Sequence, residues 1–174
     1  AQLLGAFLGA TIVWMHYLPH WKETEDEASK LGVFATGPAI PARFSNMVSE
    51  ISGTFILLFA LMFIGANEFT EGLNPLVVGG LIVAIGVSLG GSTGYAINPA
   101  RDLGPRLAHF FLPIAGKGES GWSYAAIPII GPLLGGVWGA LTYKFLFQQE
   151  MMLPFIIITA IVFVFMLMSY QEVK

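Results

Sequence analysis

The sequence contains no cysteine, and charged residues make up only 11% of its 174 residues. Disulfides and thiolate metal sites are therefore excluded. Its three histidines, His16, His20 and His109, are too scattered to indicate a metal site, and nothing indicates a cofactor. A soluble domain carries about 25% charged residues, whereas this chain is 55% hydrophobic with a mean hydropathy of +0.73. These values predict a membrane protein that contacts lipid. The net charge of −3 and the lack of a basic cluster argue against a nucleic-acid partner.

Apolar runs separated by polar segments divide the chain. Residues 1–18 are too short for a span, which needs about 20 residues, and no signal peptide is recognisable. We therefore expect them to be the end of a transmembrane helix whose earlier part is missing. Residues 19–46 carry most of the acidic and basic side chains of the first half, together with Gly37-Pro38 and Pro41. They predict an extramembrane loop.

Residues 47–147 predict two spans, a short helix and a last span. The two spans are Met47–Ala66 and Leu76–Leu89, and the last is 124–147. Residues 148–174 predict an extra hydrophobic C-terminal helix, which adds a span or lies against the bundle.

Small residues recur at four-residue spacing in two of the predicted helices, at Gly131, Gly135 and Gly139 and at Gly5 and Gly9. Such faces allow close helix packing, and we expect both sets to do so.

The short helix, residues 98–112, has a start signal with a chemical consequence. Asn is a favoured N-cap and Pro is favoured at the first helical position, which describes Asn98-Pro99. A helix of this length measures about 21 Å and cannot cross a hydrocarbon core of about 30 Å, so it is predicted to be re-entrant. The Asn98 amide and the positive helix end would then donate to neutral hydroxylated solutes and disfavour cations. Asn74-Pro75 has the same chemistry but predicts an ordinary helix start.

Two ionisable residues fall at predicted membrane depth. Arg101 offers five hydrogen-bond donors, and an arginine within the membrane usually faces a cavity or a partner. An ion pair with Asp102 is disfavoured because adjacent helical residues do not face each other, so we favour a pore-lining role. Glu50 is a proton or ion site in a functional interpretation. In a structural one, which we favour, it accepts N–H groups from the irregular backbone before Asn98.

The string Gly94-Tyr95-Ala96-Ile97-Asn98-Pro99-Ala100-Arg101-Asp102-Leu103-Gly104-Pro105 closely resembles the second signature of the aquaporin superfamily. Asp102, Arg106 and Pro132-Leu133 resemble the glycerol facilitators, or aquaglyceroporins, rather than the water channels. The resemblance extends over nearly all of residues 1–147.

The resemblance implies an all-α transmembrane, aquaporin-like bundle with a re-entrant half-helix, one pore per subunit and a homotetramer in the cell membrane. The N-terminal repeat of that architecture has no counterpart in this sequence. Arg101 and Tyr95 would belong to the selectivity filter, and the carbonyls of Gly94, Tyr95 and Ala96 would face the solute. Pro99, Asp102 and Glu50 would support the re-entrant segment. Tyr95 departs from the Phe of the best-known bacterial facilitators, which makes the wall more polar.

The expected function is passive conduction of glycerol and other small uncharged solutes, with some water. Three alternatives stay open: a water-preferring aquaporin, a truncated fragment that does not conduct, and an ion-coupled secondary transporter. The last is disfavoured because only Glu50 offers a membrane-depth acid. No catalytic constellation or phosphate loop is apparent, so we do not expect an enzyme.

Overall fold

A computed structural model describes all residues, 1–174, as a bundle of eight α-helices without strands, so the predicted all-α fold is confirmed. The helices are α1 Gln2–His16, α2 His20–Glu23, α3 Glu27–Gly32, α4 Arg43–Gly65, α5 Leu73–Leu89, α6 Pro99–Phe111, α7 Ala126–Gln148 and α8 Met152–Glu172. The helices α4, α7 and α8 are long and apolar enough to cross a membrane, whereas α1 and α5 are apolar but shorter. The α6 helix has 13 residues and measures about 20 Å.

The centre of the bundle is the contact between α4 and α7. Glycines of α7 lie directly against the α4 backbone: a Cβ atom added at Gly139 would come 2.5 Å from the Phe55 carbonyl oxygen, and one at Gly131 would come 2.7 Å from the Glu50 Cβ. Gly135 leaves still less space, next to the Ile51 carbonyl oxygen. The predicted close-packing role of these three glycines is confirmed, because any side chain there would push the two helices apart.

The same prediction is wrong for Gly5 and Gly9, where an added Cβ would meet no other atom within 4 Å. The close approach of α1 is made instead on α6, at Gly104, where an added Cβ would come 2.6 Å from the Ala6 Cβ. Spacing alone identifies a small-residue face but not whether a neighbouring helix covers it.

The segment 19–46 is more ordered than a simple loop, since it contains α2 and α3. Asp26 caps α3 by accepting a hydrogen bond from the Ser29 N–H at 2.8 Å. The Lys30 side chain is buried and donates to the carbonyl oxygens of Ala115 and Gly116, at 2.6 and 2.9 Å. These bonds fasten the segment to the loop between α6 and α7. Its extramembrane position stays a prediction.

The start of α5 differs from the predicted one. The helix begins at Leu73 after Gly72, which has a φ of +82°. Asn74 and Pro75 therefore lie inside the first turn, and Asn74 caps nothing. Glycine takes the N-cap position here because it reaches a positive φ without steric strain.

Candidate pore wall

The segment that leads into α6 has an unusual backbone. Gly94, Tyr95 and Ile97 have φ values of +79°, +40° and +44°. Positive φ values are uncommon for residues with a Cβ, and for β-branched residues such as isoleucine they are true outliers. A strained backbone of this kind persists only where its surroundings hold it in place.

Glu50 of α4 holds this segment. Its carboxylate accepts the Ala96 N–H at 3.0 Å and the Thr93 hydroxyl at 2.6 Å through Oε1, and the Ile97 N–H at 2.9 Å through Oε2. The Glu50 side chain is only 1% exposed. Both carboxylate oxygens are therefore used by donors of the strained segment, and charge-assisted bonds of this type are among the stronger hydrogen bonds in proteins.

Asn98 begins α6. Its Oδ1 accepts the Ala100 N–H at 2.9 Å, and Pro99 occupies the first helical position. The amide nitrogen of Asn98 lies 3.3 Å from Oε1 of Gln2 in α1. The cap fixes the direction of the Asn98 side chain, so that its NH2 group points away from the helix backbone and towards other partners.

Arg101 makes no ion pair with Asp102, because Asp102 pairs with Arg106 instead. The Arg101 guanidinium is solvent-exposed and lies 5.7 Å from the centroid of the Tyr95 ring. That distance is within the range of a cation–π contact. The two side chains predicted to form a filter are therefore adjacent, although five residues lie between them in the sequence.

Asp102 and Arg106 form a fully buried pair that joins three segments. Arg106 donates to Asp102 through Nε at 2.8 Å and Nη2 at 2.9 Å. It also donates to the carbonyl oxygens of Thr36, Ser120 and Gly121. Asp102 in turn accepts the N–H and hydroxyl of Thr36, at 2.8 and 2.6 Å. The pair anchors α6 to the segment before α4 and to the loop before α7.

Sequence reasoning missed Thr36 and Ser120, and no local signal marks them. Their partners lie 66 and 14 residues away along the chain. Ser120 contacts Arg106 through its backbone carbonyl, and Thr36 adds its hydroxyl to its backbone groups.

Two further residues missed from the sequence shape the wall behind Tyr95. A Cβ atom added at Gly86 would come 3.1 Å from the Tyr95 Cζ, and one at Gly90 would come 2.6 Å from its Cδ1. Both glycines belong to or directly follow α5. The Tyr95 ring therefore packs on two positions without side chains, and this leaves room for the ring beside the cavity.

A cavity of about 520 Å³ lies against these residues. Of the residues predicted for the site, Tyr95, Ala96, Asn98, Pro99 and Arg101 line it. The other three, Gly94, Glu50 and Asp102, do not line it. Glu50 and Asp102 are buried behind the wall.

The rest of the lining is mainly apolar and was not predicted. It includes Thr54, Leu57, Leu58 and Leu61 of α4, whose spacing of three and four residues places them on one helix face. That periodicity indicates a common helix face, but it does not show whether the face lines a cavity, because lipid-facing and core-facing residues have the same spacing. Pro132 of α7 also contributes to the lining.

Comparison with known proteins places this arrangement in a family. The family model described as "Major intrinsic protein" matches residues 1–143. The glycerol uptake facilitator protein of Bacillus subtilis is 59% identical over the whole chain. A probable glycerol uptake facilitator protein of Thermotoga maritima is 59% identical over 84% of the chain, and glycerol uptake facilitator protein 3 of Lactiplantibacillus plantarum is 58% identical over 84%.

The chain spans 64%, 63% and 61% of the lengths of these three relatives, less than two thirds of each. The match nevertheless includes α4, α5 and α6, most of α7 and the whole segment that lines the cavity. Together with the three apolar helices of spanning length, it identifies a multi-pass membrane protein. The chain belongs to the major intrinsic protein family.

Proposed function

We propose that the chain forms one wall of a passive pore for glycerol and other small uncharged solutes, with some water. The observation that carries this proposal is the lining of the cavity. Hydrogen-bond donors of Asn98 and Arg101 share it with apolar side chains such as Leu57 and Leu61. A polyol has hydroxyl groups along one edge and carbon–hydrogen bonds along the other. A wall of donors beside an apolar wall matches both edges of such a molecule.

The positive charge beside the cavity favours a neutral solute over a cation. The Arg101 guanidinium carries a positive charge, and the N-terminal end of α6 adds partial positive charge. Both repel cations. The two acids behind the wall offer no free oxygen to the cavity. Both Glu50 oxygens accept hydrogen bonds from the segment 93–97. Asp102 is occupied by Arg106 and Thr36. This occupancy counts against a proton- or ion-coupled transporter, which needs an acid that changes its protonation during the cycle.

The proposed organisation follows the family resemblance. Residues 1–18 are the end of a transmembrane helix, 19–46 an extramembrane segment and 47–147 the second repeat of the pore. A complete pore would need a second, inverted repeat facing the cavity, as is general in transport folds with broken helices. We propose a homotetramer in the plasma membrane, surrounded by lipid. The names of the three relatives reported above, which are glycerol uptake facilitators, support glycerol as the solute.

Solute flux into proteoliposomes tests this function. Vesicles that contain the protein are exposed to a hyperosmotic glycerol solution, and light scattering is followed by stopped flow. From a complete pore we expect rapid shrinkage and then fast re-swelling as glycerol enters, at a rate proportional to the glycerol gradient. Vesicles without protein are the control, and water flux is measured separately with an impermeant osmolyte.

Each alternative predicts a different result. If an ion gradient drives glycerol to a higher concentration inside the vesicles than outside, the protein is a coupled transporter and not a channel. Fast water flux with slow glycerol entry would indicate a water-preferring pore. Glycerol entry as slow as in protein-free vesicles would indicate that the chain alone does not conduct.

A further inference from the structure

The C-terminal helix α8 lies beyond the residues that match the family. It has 21 residues and measures about 32 Å, close to the thickness of the hydrocarbon core. No charged residue occurs between Met152 and Gln171. A helix that lies flat on a membrane needs a strongly polar face. Since α8 is apolar on all sides, its composition favours a span over a surface position.

Contacts along its whole length hold α8 against the bundle. Near its start, the Phe155 ring stacks on Phe145 of α7, with centroids 4.5 Å apart. In the middle, Thr159 accepts a hydrogen bond from the Trp138 indole at 3.1 Å. One turn further on, Val162 is buried in a cluster with Met47 and Ile51 of α4.

The last turn of α8 meets the first turn of α4. The Ser169 and Ser45 hydroxyls are 3.0 Å apart. The Glu172 carboxylate accepts the backbone N–H groups of Phe44 and Ser45, both at 3.0 Å through Oε2. The residue at the N-cap position of α4 is Ala42, which has no side-chain oxygen to cap the helix. Glu172 thus supplies the missing acceptor from 127 residues away along the chain.

These contacts fix the direction of α8. The α4 and α7 helices run parallel, since Gly131, Gly135 and Gly139 meet successively later residues of α4. The α8 helix follows α7 after a short turn and returns to the beginning of α4, so it is antiparallel to both. Its end therefore lies at the end of the bundle that holds residues 19–42 and 112–125.

We propose that α8 is an additional transmembrane span whose last turn caps α4. The C-terminus then lies on the same side of the membrane as the loop between α6 and α7, and opposite the loop between α4 and α5. The Glu172 carboxylate binds to the positive end of α4, which otherwise has no acidic residue in its first turn. This inference does not depend on which solute the pore conducts.

Single cysteines test the topology, because the sequence provides no cysteine that would react in the background. The variants are Lys174→Cys, Glu119→Cys in the loop before α7, and Glu68→Cys in the loop after α4. All three positions are exposed. A membrane-impermeant maleimide is added to intact cells and, separately, to permeabilised cells, and the unsubstituted protein measures the background.

A cysteine outside the cell reacts both in intact and in permeabilised cells, whereas a cysteine inside reacts only after permeabilisation. We expect Lys174→Cys and Glu119→Cys to show the same one of these two patterns and Glu68→Cys to show the other. A Lys174→Cys pattern that matches Glu68→Cys and differs from Glu119→Cys would overturn the proposal, because α8 would then not cross the membrane.

Hydrogen exchange tests the cap. In Glu172→Ala, the amides of residues 44 and 45 are expected to exchange several-fold faster, because both lose the carboxylate that accepts their hydrogen bonds. Glu150→Ala is the matched control, since Glu150 is an exposed acid near the other end of α8 and its side chain makes no hydrogen bond. Unchanged exchange at residues 44 and 45 in Glu172→Ala would overturn the capping role even if the topology is as proposed.

Discussion

The dipeptide Asn-Pro occurs twice, and its two copies do different things. Asn98-Pro99 begins α6: Asn98 is extended, with a φ of −156°, and accepts the Ala100 N–H. Asn74-Pro75 lies one residue inside α5, both residues are exposed, and the Asn74 side chain makes no hydrogen bond. The same two residue types therefore give a cap beside a cavity in one place and an ordinary helical turn in the other.

The residues before each pair explain the difference. A flexible glycine, Gly72, leads into α5 and needs no support. The segment before Asn98 has positive φ values at Tyr95 and Ile97 and is held by the buried Glu50 carboxylate. What distinguishes the cap beside the cavity is thus a distant acceptor on another helix. The dipeptide itself carries little of this information.

Removal of that acceptor is expected to have the largest effect. Glu50→Ala leaves the N–H groups of Ala96 and Ile97 and the Thr93 hydroxyl buried without partners. Each such group costs about 1–3 kcal/mol, so we expect at least about 3 kcal/mol of lost stability and loss of glycerol flux. Thermal unfolding in detergent and stopped-flow flux measure the two effects.

Glu71→Ala is the matched control, because Glu71 is an exposed acid just before the other Asn-Pro pair. It should change stability by no more than about 0.5 kcal/mol, as is usual for surface positions. Equal unfolding temperatures for Glu50→Ala and Glu71→Ala would show that the strained segment does not depend on Glu50.

The two asparagines themselves give a smaller contrast. Asn98→Ala removes a cap and should cost about 1 kcal/mol, within the usual range of 0.5–2 kcal/mol. Asn74→Ala removes no hydrogen bond and should be nearly neutral or slightly stabilising, because alanine is the better helix former. Denaturant unfolding of the two variants measures the difference. A cost at Asn74 equal to that at Asn98 would mean that capping does not distinguish the two pairs.

Much of the fold follows from local sequence. Long apolar runs predict α4, α7 and α8, and the Asn98-Pro99 signal predicts a helix start where α6 begins. Close packing at Gly131, Gly135 and Gly139 is predicted because helix periodicity places them on one face. The start of α5 was predicted wrongly because Asn-Pro chemistry is equally compatible with a first helical turn.

The site is less predictable, because its contacts join distant parts of the chain. Thr36 and Ser120 are recruited by the buried Asp102–Arg106 pair through long-range hydrogen bonds. Gly86 contributes by having no side chain where the Tyr95 ring packs. The sequence around a glycine does not show which distant side chain packs against it. The filter roles of Tyr95 and Arg101 stay predictions from the family resemblance.

The most direct test of the account is the selectivity of Arg101→Ala in proteoliposomes, measured as glycerol flux and proton leak on the same vesicles. We predict that glycerol still enters while proton leak rises clearly, because the variant removes the positive charge beside Tyr95 and enlarges the opening. Arg43→Ala, at an exposed arginine that does not line this cavity, should behave like the unsubstituted protein. Unchanged discrimination between glycerol and protons in Arg101→Ala would contradict the central claim that this wall forms the filter.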